Sequence, residues 1–353
     1  MKLKEFQQYL RESNLDLVLL IHPDIHITYF TQTKPSFSFL SISPNSAKLH
    51  LTSLDKQPHI TNISITSIKK NWDQKLAQKN IKRLGINKES LTVQYLEKIK
   101  KIFPKAKLID ISPKLKQLRS QKTREEIKKI NHACKITDSV FAELINKLDR
   151  PNKLNKPNKL NTEKEISLFI ENKIKEQDGE LAFPTIVATN KNSAIPHHIT
   201  SNQRLRTGFL LFDFGACYQN YCSDMSRTIY LGKPSKKEKE TYDLLLTAQS
   251  NSINNIQENL SFEELNKSTK KDLSPYSSHF IHSLGHGLGL EIHELPSFLQ
   301  QPAQKVQSFQ TFTIEPGIYF PNKFGIRIED TLLFNKKQSI LTKSPKNLTK
   351  ISF

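Results

Sequence analysis

The sequence contains few cysteines. Three of its 353 residues are cysteine, namely Cys134, Cys217 and Cys222. Three scattered thiols are too few for a disulfide framework or a cysteine-based zinc site. We therefore expect a chain from a reducing compartment, which favours a cytoplasmic location.

Long apolar runs are also missing. The strongest run, Leu17–Ile21, has the length of a strand, whereas roughly 20 apolar residues are needed to cross a bilayer. The N-terminus lacks the apolar stretch and small-residue cleavage site of a signal peptide. We expect neither a membrane partner nor secretion by that route.

The overall composition is that of a globular protein. Hydrophobic residues make up 36% of the chain and there are 10 glycines, which excludes disordered and fibrous classes. The 53 basic and 34 acidic residues give a net charge of +19. Because lysines are spread along the chain, without an arginine-rich tract or interleaved aromatics, the charge favours a solvated surface over a nucleic-acid partner.

The patterns change once along the chain. Short apolar runs at 15–21, 37–42 and 47–51 predict strands in a compact α/β domain over residues 1–117. Capping boxes at Thr123, Thr162 and Ser261 predict helices in a second domain over 118–353, whose mixture of strands and helices indicates an α+β fold. Between the first two helices, the duplicated Pro/Asn/Lys unit at 151–161 predicts a solvated loop insertion.

The segment 209–231 predicts a β-hairpin that turns around 217–220. Asp213 and Asp224 flank this turn, so pairing would place two carboxylates on adjacent strands, potentially facing each other. A pair of unrelated polar strand residues is the alternative, but the apolar neighbours of Asp213 disfavour it. Cys222 would share a face with Asp224, where we expect a packed thiol rather than a metal ligand.

A second hairpin repeats this arrangement. Glu315 and Glu329 flank the turn at 321–323, and Arg327 shares a face with Glu329. Between the hairpins, the run 282–294 contains His282, His286 and His293 with three alternate glycines, which disfavour a helix and permit close backbone approach. A further histidine pair, His197 and His198, follows Pro196.

Four acids and one imidazole form a set suited to divalent cations: Asp213, Asp224, His286, Glu315 and Glu329. Four carboxylates balance two such ions about 3.5–4 Å apart. Oxygen-rich ligation favours Mn²⁺, Co²⁺ or Fe²⁺ over a structural Zn²⁺. We expect Mn²⁺, with Co²⁺, Fe²⁺ or Zn²⁺ as alternatives.

Four motifs together resemble the pita-bread metallopeptidases, in their prolidase and Xaa-Pro aminopeptidase branch. They are Asp213-Phe-Gly-(x)8-Asp224-Met-Ser-Arg-Thr, His282-Ser-Leu-Gly-His286-Gly-Leu-Gly-Leu-Glu-Ile-His293-Glu, Thr313-Ile-Glu315-Pro-Gly-Ile-Tyr and Arg327-Ile-Glu329-Asp-Thr. The resemblance extends over nearly the whole chain. It implies a pita-bread catalytic domain preceded by a smaller creatinase-type domain, commonly in a homodimer.

The resemblance also implies roles. Asp213 would bind one metal, His286 and Glu315 the other, and Asp224 and Glu329 both. A hydroxide that bridges the two metals would attack the scissile carbonyl, and Glu315 would carry a proton to the leaving proline nitrogen.

Outer positions have roles as well. His197 and His293 match histidines that steady the tetrahedral oxyanion, while His282 and Arg327 match positions on the proline side. Asn190 and His198 stand where the family more often has glycine, which affects specificity more than catalysis.

We therefore expect a dinuclear-metal exopeptidase that hydrolyses Xaa-Pro bonds in dipeptides or at the N-terminus of short peptides. The resemblance does not separate an Xaa-Pro dipeptidase from an aminopeptidase. The alternative is a catalytically silent pita-bread module that binds an acidic partner through its basic surface, which predicts that ligand residues would be missing.

Overall fold

A computed structural model describes residues 2–68, 80–149, 160–301 and 303–352. The chain forms two compact units, Met1–Leu118 and Arg119–Phe353. Most of the duplicated loop predicted at 151–161 lies outside the described residues. Within the described ranges, no helix is both long and apolar enough to span a membrane.

In its described residues, the first unit is a six-stranded sheet with helices. Its elements are α1 (Lys2–Glu12), β1 (Leu17–Ile21), α2 (Ile25–Thr31), β2 (Ser38–Ile42), β3 (Ala47–Leu51), β4 (Ser64–Ser67), β5 (Arg83–Ile86), α3 (Val93–Ile102), β6 (Lys107–Asp110) and α4 (Ser112–Ser120). The strand order is β4-β3-β2-β1-β5-β6. The three predicted strands are confirmed as β1, β2 and β3, and β1 and β2 are buried along their whole length.

The second unit is a mixture of helices and short sheets. Its helices are α5 (Arg124–Leu148), α6 (Glu163–Glu176), α7 (Lys236–Asn254) and α8 (Phe262–Asp272). The predicted capping boxes at Thr123, Thr162 and Ser261 are confirmed, because each hydroxyl accepts a bond from the backbone N–H three residues later. A further capping box at Ser235, which the prediction did not include, begins α7.

The described strands of this unit form four sheets. They are β7 (Glu180–Leu181), β8 (Ile186–Thr189), β9 (Gly208–Phe214), β10 (Ala216–Tyr218), β11 (Tyr221–Cys222), β12 (Met225–Leu231), β13 (His286–Gly287), β14 (Glu294–Ser297), β15 (Gln310–Ile314), β16 (Gly317–Phe320), β17 (Phe324–Arg327), β18 (Asp330–Asn335), β19 (Lys337–Ile340) and β20 (Lys350–Ile351). The sheet orders are β11-β10-β7, β20-β12-β9-β8, β14-β13-β15-β18-β19 and β16-β17.

Two hydrophobic cores lie between helices and the sheets that contain β9 and β15. Apolar residues of α5 and α6, such as Val140 and Ile170, pack with Phe212 of β9. Apolar residues of α7 and α8, such as Leu245, pack with Phe312 of β15. The sheets of β9 and β15 therefore each have a face covered by a helix pair, which stabilises the strands that carry or flank the acidic residues.

Candidate metal centre

The first hairpin turns tightly at Gln219 and Asn220. Both residues have positive φ, 46° and 73°, as a two-residue type I′ turn requires. The register that this turn sets pairs Asp213 of β9 with Ser226 of β12. Asp224 precedes β12 and lies diagonally from Asp213, so the predicted symmetry of the two acids about the turn is wrong, although their side chains interact with each other. The reason is that the turn is centred one residue later than the midpoint between the acids.

The same turn joins Cys217 and Cys222, which are partners in the β10–β11 register. Their sulfurs form a disulfide, whereas Cys134 is free and buried. The expectation of a packed thiol at Cys222 is therefore wrong, and cysteine usage no longer supports a reducing compartment. The tight turn brings the two cysteines close enough to form a single disulfide. Such a local bridge does not require the framework of several disulfides that we excluded.

Asp224 is buried among other acids. Asp224 is only 4% exposed, and its Oδ1 atom has no hydrogen-bond partner. Burial and the negative charges of Asp213 and Glu315 raise the pKa of Asp224 well above its ordinary value. The fold thus keeps a carboxylate where its charged form needs a compensating positive charge.

Glu315 and Glu329 lie at a break between two ladders of the second hairpin. β15 pairs with β18 up to Ile314 and Asp330, and β16 pairs with β17 beyond Gly317 and Arg327. The two glutamates are therefore symmetric about the turn, as predicted. Burial raises the pKa of both carboxyls, most strongly that of Glu329, to which Asp224 and Glu315 add their negative charges.

His286 joins the two hairpins. Its Nε2 atom is 3.4 Å from Asp224 Oδ2 and 3.5 Å from Glu315 Oε1. One donor atom each from Asp224, His286 and Glu329 lie within 4.8 Å of one another. A side chain at Gly285 would clash with the carbonyl oxygen of Thr313, which explains why glycine precedes this histidine.

The donor set fits divalent cations. Buried carboxylate oxygens without a hydrogen-bond partner occur at Asp213, Asp224 and Glu329. Unpaired buried acids are costly, and metal coordination is one of the few ways to satisfy them. Carboxylate and imidazole ligands without thiolates suit the metals expected from the sequence.

Arg327 connects the acids to the proline side expected from the sequence. It is 3% exposed and donates from Nη2 to Asp213 Oδ2 at 2.6 Å and from Nε to Ser226 Oγ at 2.8 Å. Ser226 Oγ in turn donates to Glu329 Oε2 at 2.7 Å. The predicted common face of Arg327 and Glu329 is therefore confirmed, and Ser226 links them.

Tyr319, which was not among the predicted site residues, extends this series of hydrogen bonds. Its hydroxyl accepts a bond from Arg327 Nη1 at 2.7 Å and lies 2.9 Å from His282 Nε2. His282 Nδ1 is 2.8 Å from the carbonyl of Ser283, so Nδ1 carries the proton and Nε2 accepts from Tyr319. Burial and the charge of Arg327 lower the pKa of His282 to about 4, which keeps the ring neutral. Its place in the Glu-Pro-Gly-Ile-Tyr motif was the available signal.

The remaining histidines differ in their surroundings. The rings of His293 and His286 are 4.2 Å apart, and burial, with the charges of His286 and His197, lowers the pKa of His293 to about 4. His197 is exposed. His198 points elsewhere, with Nε2 2.9 Å from Glu163 Oε2.

Two other buried acids hold the loops of these histidines. Glu163, which is fully buried, also accepts bonds from the loop residues Asn192 and Ser201. Glu294 follows His293, is paired with Arg119, and lies 2.9 Å from Lys122. Burial opposes ionisation of Glu294, but the charges of Lys122 and Arg119 outweigh it and lower its pKa. Glu294 ends the quoted His282 motif and Glu163 follows the capping residue Thr162, but neither motif indicated the burial or the partners of these acids.

Asn190 occupies a left-handed backbone position, with φ 49°. Asparagine tolerates this region better than most residues other than glycine. Its replacement of the glycine usual in the family therefore preserves the backbone of the turn.

Comparisons with known proteins identify the family of the chain. Residues 128–336 match the model of metallopeptidase family M24, and residues 2–121 match that of the creatinase/prolidase N-terminal domain. An Xaa-Pro dipeptidase of Pyrococcus horikoshii is 33% identical, with 98% of each chain covered.

Solved structures show the same fold. The prolidase from Pyrococcus horikoshii has a TM-score of 0.88 at 32% identity, with 98% of this chain and 99% of the other covered. The X-Pro aminopeptidase from Thermotoga maritima has a TM-score of 0.88 at 30% identity, with 98% and 100% covered. The fold is thus the α+β pita-bread fold with a smaller α/β N-terminal domain, and the chain belongs to metallopeptidase family M24, in the prolidase branch.

Proposed function

We propose that this chain is a metal-dependent exopeptidase that hydrolyses Xaa-Pro bonds in dipeptides or at the N-terminus of short peptides. The observation that carries the proposal is the convergence of Asp224, His286 and Glu329 donor atoms within 4.8 Å, with buried carboxylate oxygens left without partners. Relatives that are similar over nearly the whole chain are named as an Xaa-Pro dipeptidase and an X-Pro aminopeptidase.

Five residues would hold two divalent cations, of which Mn²⁺ is our first candidate and Co²⁺, Fe²⁺ and Zn²⁺ are alternatives. Asp213 would bind one ion, His286 and Glu315 the other, and Asp224 and Glu329 both. When bound, such ions would supply Lewis-acid chemistry, which would activate a water molecule and polarise the scissile carbonyl. Their charge would also offset the repulsion that raises the pKa of Asp224 and Glu329.

The chain's own residues would bind the substrate and move protons. Glu315, whose pKa is raised by burial, would hold a proton for the leaving proline nitrogen. Arg327 would hold Asp213 in an ion pair and orient Tyr319. Neutral His282 would face the proline side, while His197 and His293 would donate hydrogen bonds to the oxyanion.

The binding-module alternative is weaker. It predicts the loss of ligand residues, whereas all five are in the sequence. A binding module also has no need for several buried acids whose repulsion destabilises the fold.

The direct test uses protein stripped of metal with a chelator, then supplied with Mn²⁺, Co²⁺ or Zn²⁺ and the dipeptide Ala-Pro. We expect metal-dependent hydrolysis, and we expect Asp224→Asn to abolish both activity and stoichiometric metal content while remaining folded. Asp243→Asn, at an exposed acid of α7, is the matched control. If folded wild-type protein cleaves neither Ala-Pro nor Ala-Pro-Ala with any of these metals, the proposal is wrong.

Three further proposals accompany this function. We propose a creatinase-type domain over 1–117 and a catalytic domain over 118–353, a homodimeric assembly, and a cytoplasmic location. Sedimentation of the purified protein tests the assembly: a single species with the mass of one 40.7 kDa chain would contradict it.

A further inference from the structure

A cavity of about 550 Å³ lies beside the Arg327–Tyr319–His282 chain. We call it the Lys191 cavity, and define it by Lys191, Ile195, His279, Ile281, Tyr319 and Asn322 among its lining residues. Its volume is within the range of roughly 300–1,000 Å³ typical of ligand pockets. Nothing in the proposed hydrolysis of a dipeptide uses this space.

Tyr319 connects the cavity to the proposed proline side. The Tyr319 hydroxyl bonds both Arg327 and His282, and its side chain also lines the cavity. The proposed proline side and the cavity therefore share the side chain of Tyr319.

The turn that carries Lys191 has a defined position relative to Arg327. Lys191 lies in a single 3₁₀ turn, Asn190–Ala194, and the backbone N–H of Gly325 donates to Ser193 Oγ at 2.9 Å. A side chain at Gly325 would clash with the Ser193 carbonyl oxygen. Because Gly325 and Arg327 belong to the same strand, β17, the cavity wall and the site are held together.

The cavity differs in charge from the metal centre. None of its lining residues is acidic, and Lys191 and His279 are among them. Lys191 is exposed and forms no ion pair with an acid in the described part of the chain. Lys191 would attract a peptide's terminal carboxylate.

The cavity also presents apolar surface. Ile195 and Ile281 are 55% and 62% exposed, an unusual state for isoleucine. Both line the cavity, where an apolar side chain of a substrate would cover them.

We propose that the Lys191 cavity binds the residue that follows proline in peptides of three or more residues, with Ile195 and Ile281 contacting its apolar side chain and Lys191 facing the carboxylate of a tripeptide. This inference rests on the proposed function. It makes the chain an Xaa-Pro aminopeptidase that also accepts dipeptides.

The test compares three substrates, Ala-Pro, Ala-Pro-Leu and Ala-Pro-Leu-amide, with metal-loaded protein. Lys191→Met should lower kcat/KM for Ala-Pro-Leu about two- to fivefold through KM, the effect of losing one exposed ion pair. Hydrolysis of Ala-Pro-Leu-amide and Ala-Pro should be unchanged, because neither places a carboxylate in the cavity. Lys323→Met is the matched control, since Lys323 follows the lining residue Asn322 but does not line the cavity.

Binding gives a readout that is independent of turnover. Calorimetry should show that Pro-Leu, the leaving half of the tripeptide, binds two- to fivefold more weakly to Lys191→Met than to wild type, and that Pro-Leu-amide binds equally to both. An equal loss for all three substrates, or the same loss in Lys323→Met, would overturn the inference.

The two proposals fail in different ways. If wild-type protein hydrolyses Ala-Pro but not Ala-Pro-Leu, the cavity proposal is wrong and the proposed function stands. If it hydrolyses none of the three peptides, the proposed function itself is wrong.

Discussion

Replacing Glu329 by glutamine should make the metal-free protein more stable, although Glu329 is one of its most buried side chains. Burial and the charges of Asp224 and Glu315 raise the pKa of Glu329 well above its ordinary value. Its Oε2 atom accepts from Ser226 Oγ, and its Oε1 atom has no partner. Glutamine retains an acceptor for Ser226 and presents an N–H in place of Oε1 that can donate to the neighbouring acids.

The magnitude follows from the geometry. Donor atoms of Glu329 and Asp224 lie within 4.8 Å, and two like charges at that distance repel by about 3.5 kcal/mol at an effective dielectric constant of 20. The protein can avoid this by protonating one acid, which at pH 7 costs about 3.7 kcal/mol relative to an unfolded pKa of about 4.3. Allowing for desolvation of the amide, we expect a gain of about 2–3 kcal/mol.

The assay is thermal unfolding of both proteins, in chelator and in excess Mn²⁺. In chelator, Glu329→Gln should have a Tm higher by about 4–12 °C, at roughly 2–4 °C per kcal/mol. Metal at 100 times its Kd should stabilise the wild type by about 2.7 kcal/mol. The variant should gain much less stability from metal. The difference between the two Tm values should therefore shrink or change sign.

The pH dependence has a defined sign. Because the folded-state pKa of Glu329 is raised, its contribution to stability is present below about pH 4.3 and is lost as the pH rises. The advantage of Glu329→Gln in chelator should therefore grow between about pH 5 and pH 7. Glu240→Gln, at a 63% exposed side chain of α7, should change little. If the chelated variant is less stable than the chelated wild type at pH 7, the repulsion argument is wrong.

Three other perturbations test neighbouring features. Asp330→Asn should cost about 3–5 kcal/mol in urea unfolding, because it leaves the charge of Arg227, now 2.7 Å from Asp330 Oδ1, buried without its partner; a cost below 1 kcal/mol would contradict this. Gly285→Ala should cost about 1–3 kcal/mol and lower metal content, since its methyl group would clash with the Thr313 carbonyl; unchanged metal content would refute the second part. Burial is the main reason that the pKa of His282 is lowered to about 4, so its contribution to stability is lost as the pH falls from about 6.5 to 4. In urea unfolding, the wild type should lose about 2 kcal/mol of stability relative to His282→Gln by pH 4.5. Equal losses in the two proteins would contradict a neutral buried ring.

Much of the fold was predictable because its signals are local. A capping box such as that at Thr123 is formed by residues three positions apart, so the start of α5 follows from four residues. The symmetry of Glu315 and Glu329 about their turn is likewise a short-range property of one hairpin. The order of the candidate ligands can be read from the sequence for the same reason.

The details of the site depended on contacts that the sequence does not contain. The diagonal placement of Asp213 and Asp224 and the Cys217–Cys222 disulfide both follow from where the turn is centred. A shift of one residue in register changes every opposed pair. Symmetry in the sequence could not locate that centre.

The sequence by itself therefore determined the capped helices, the hairpins and the order of five candidate metal ligands. Only the tertiary structure decided that Tyr319 joins Arg327 to His282, that Glu294 pairs with Lys122, and which carboxylate oxygens remain without partners. These features join residues that are distant along the chain or depend on burial. Packing of the two helix-covered sheets determines them, because burial makes each unpaired charge costly and each pairing selective.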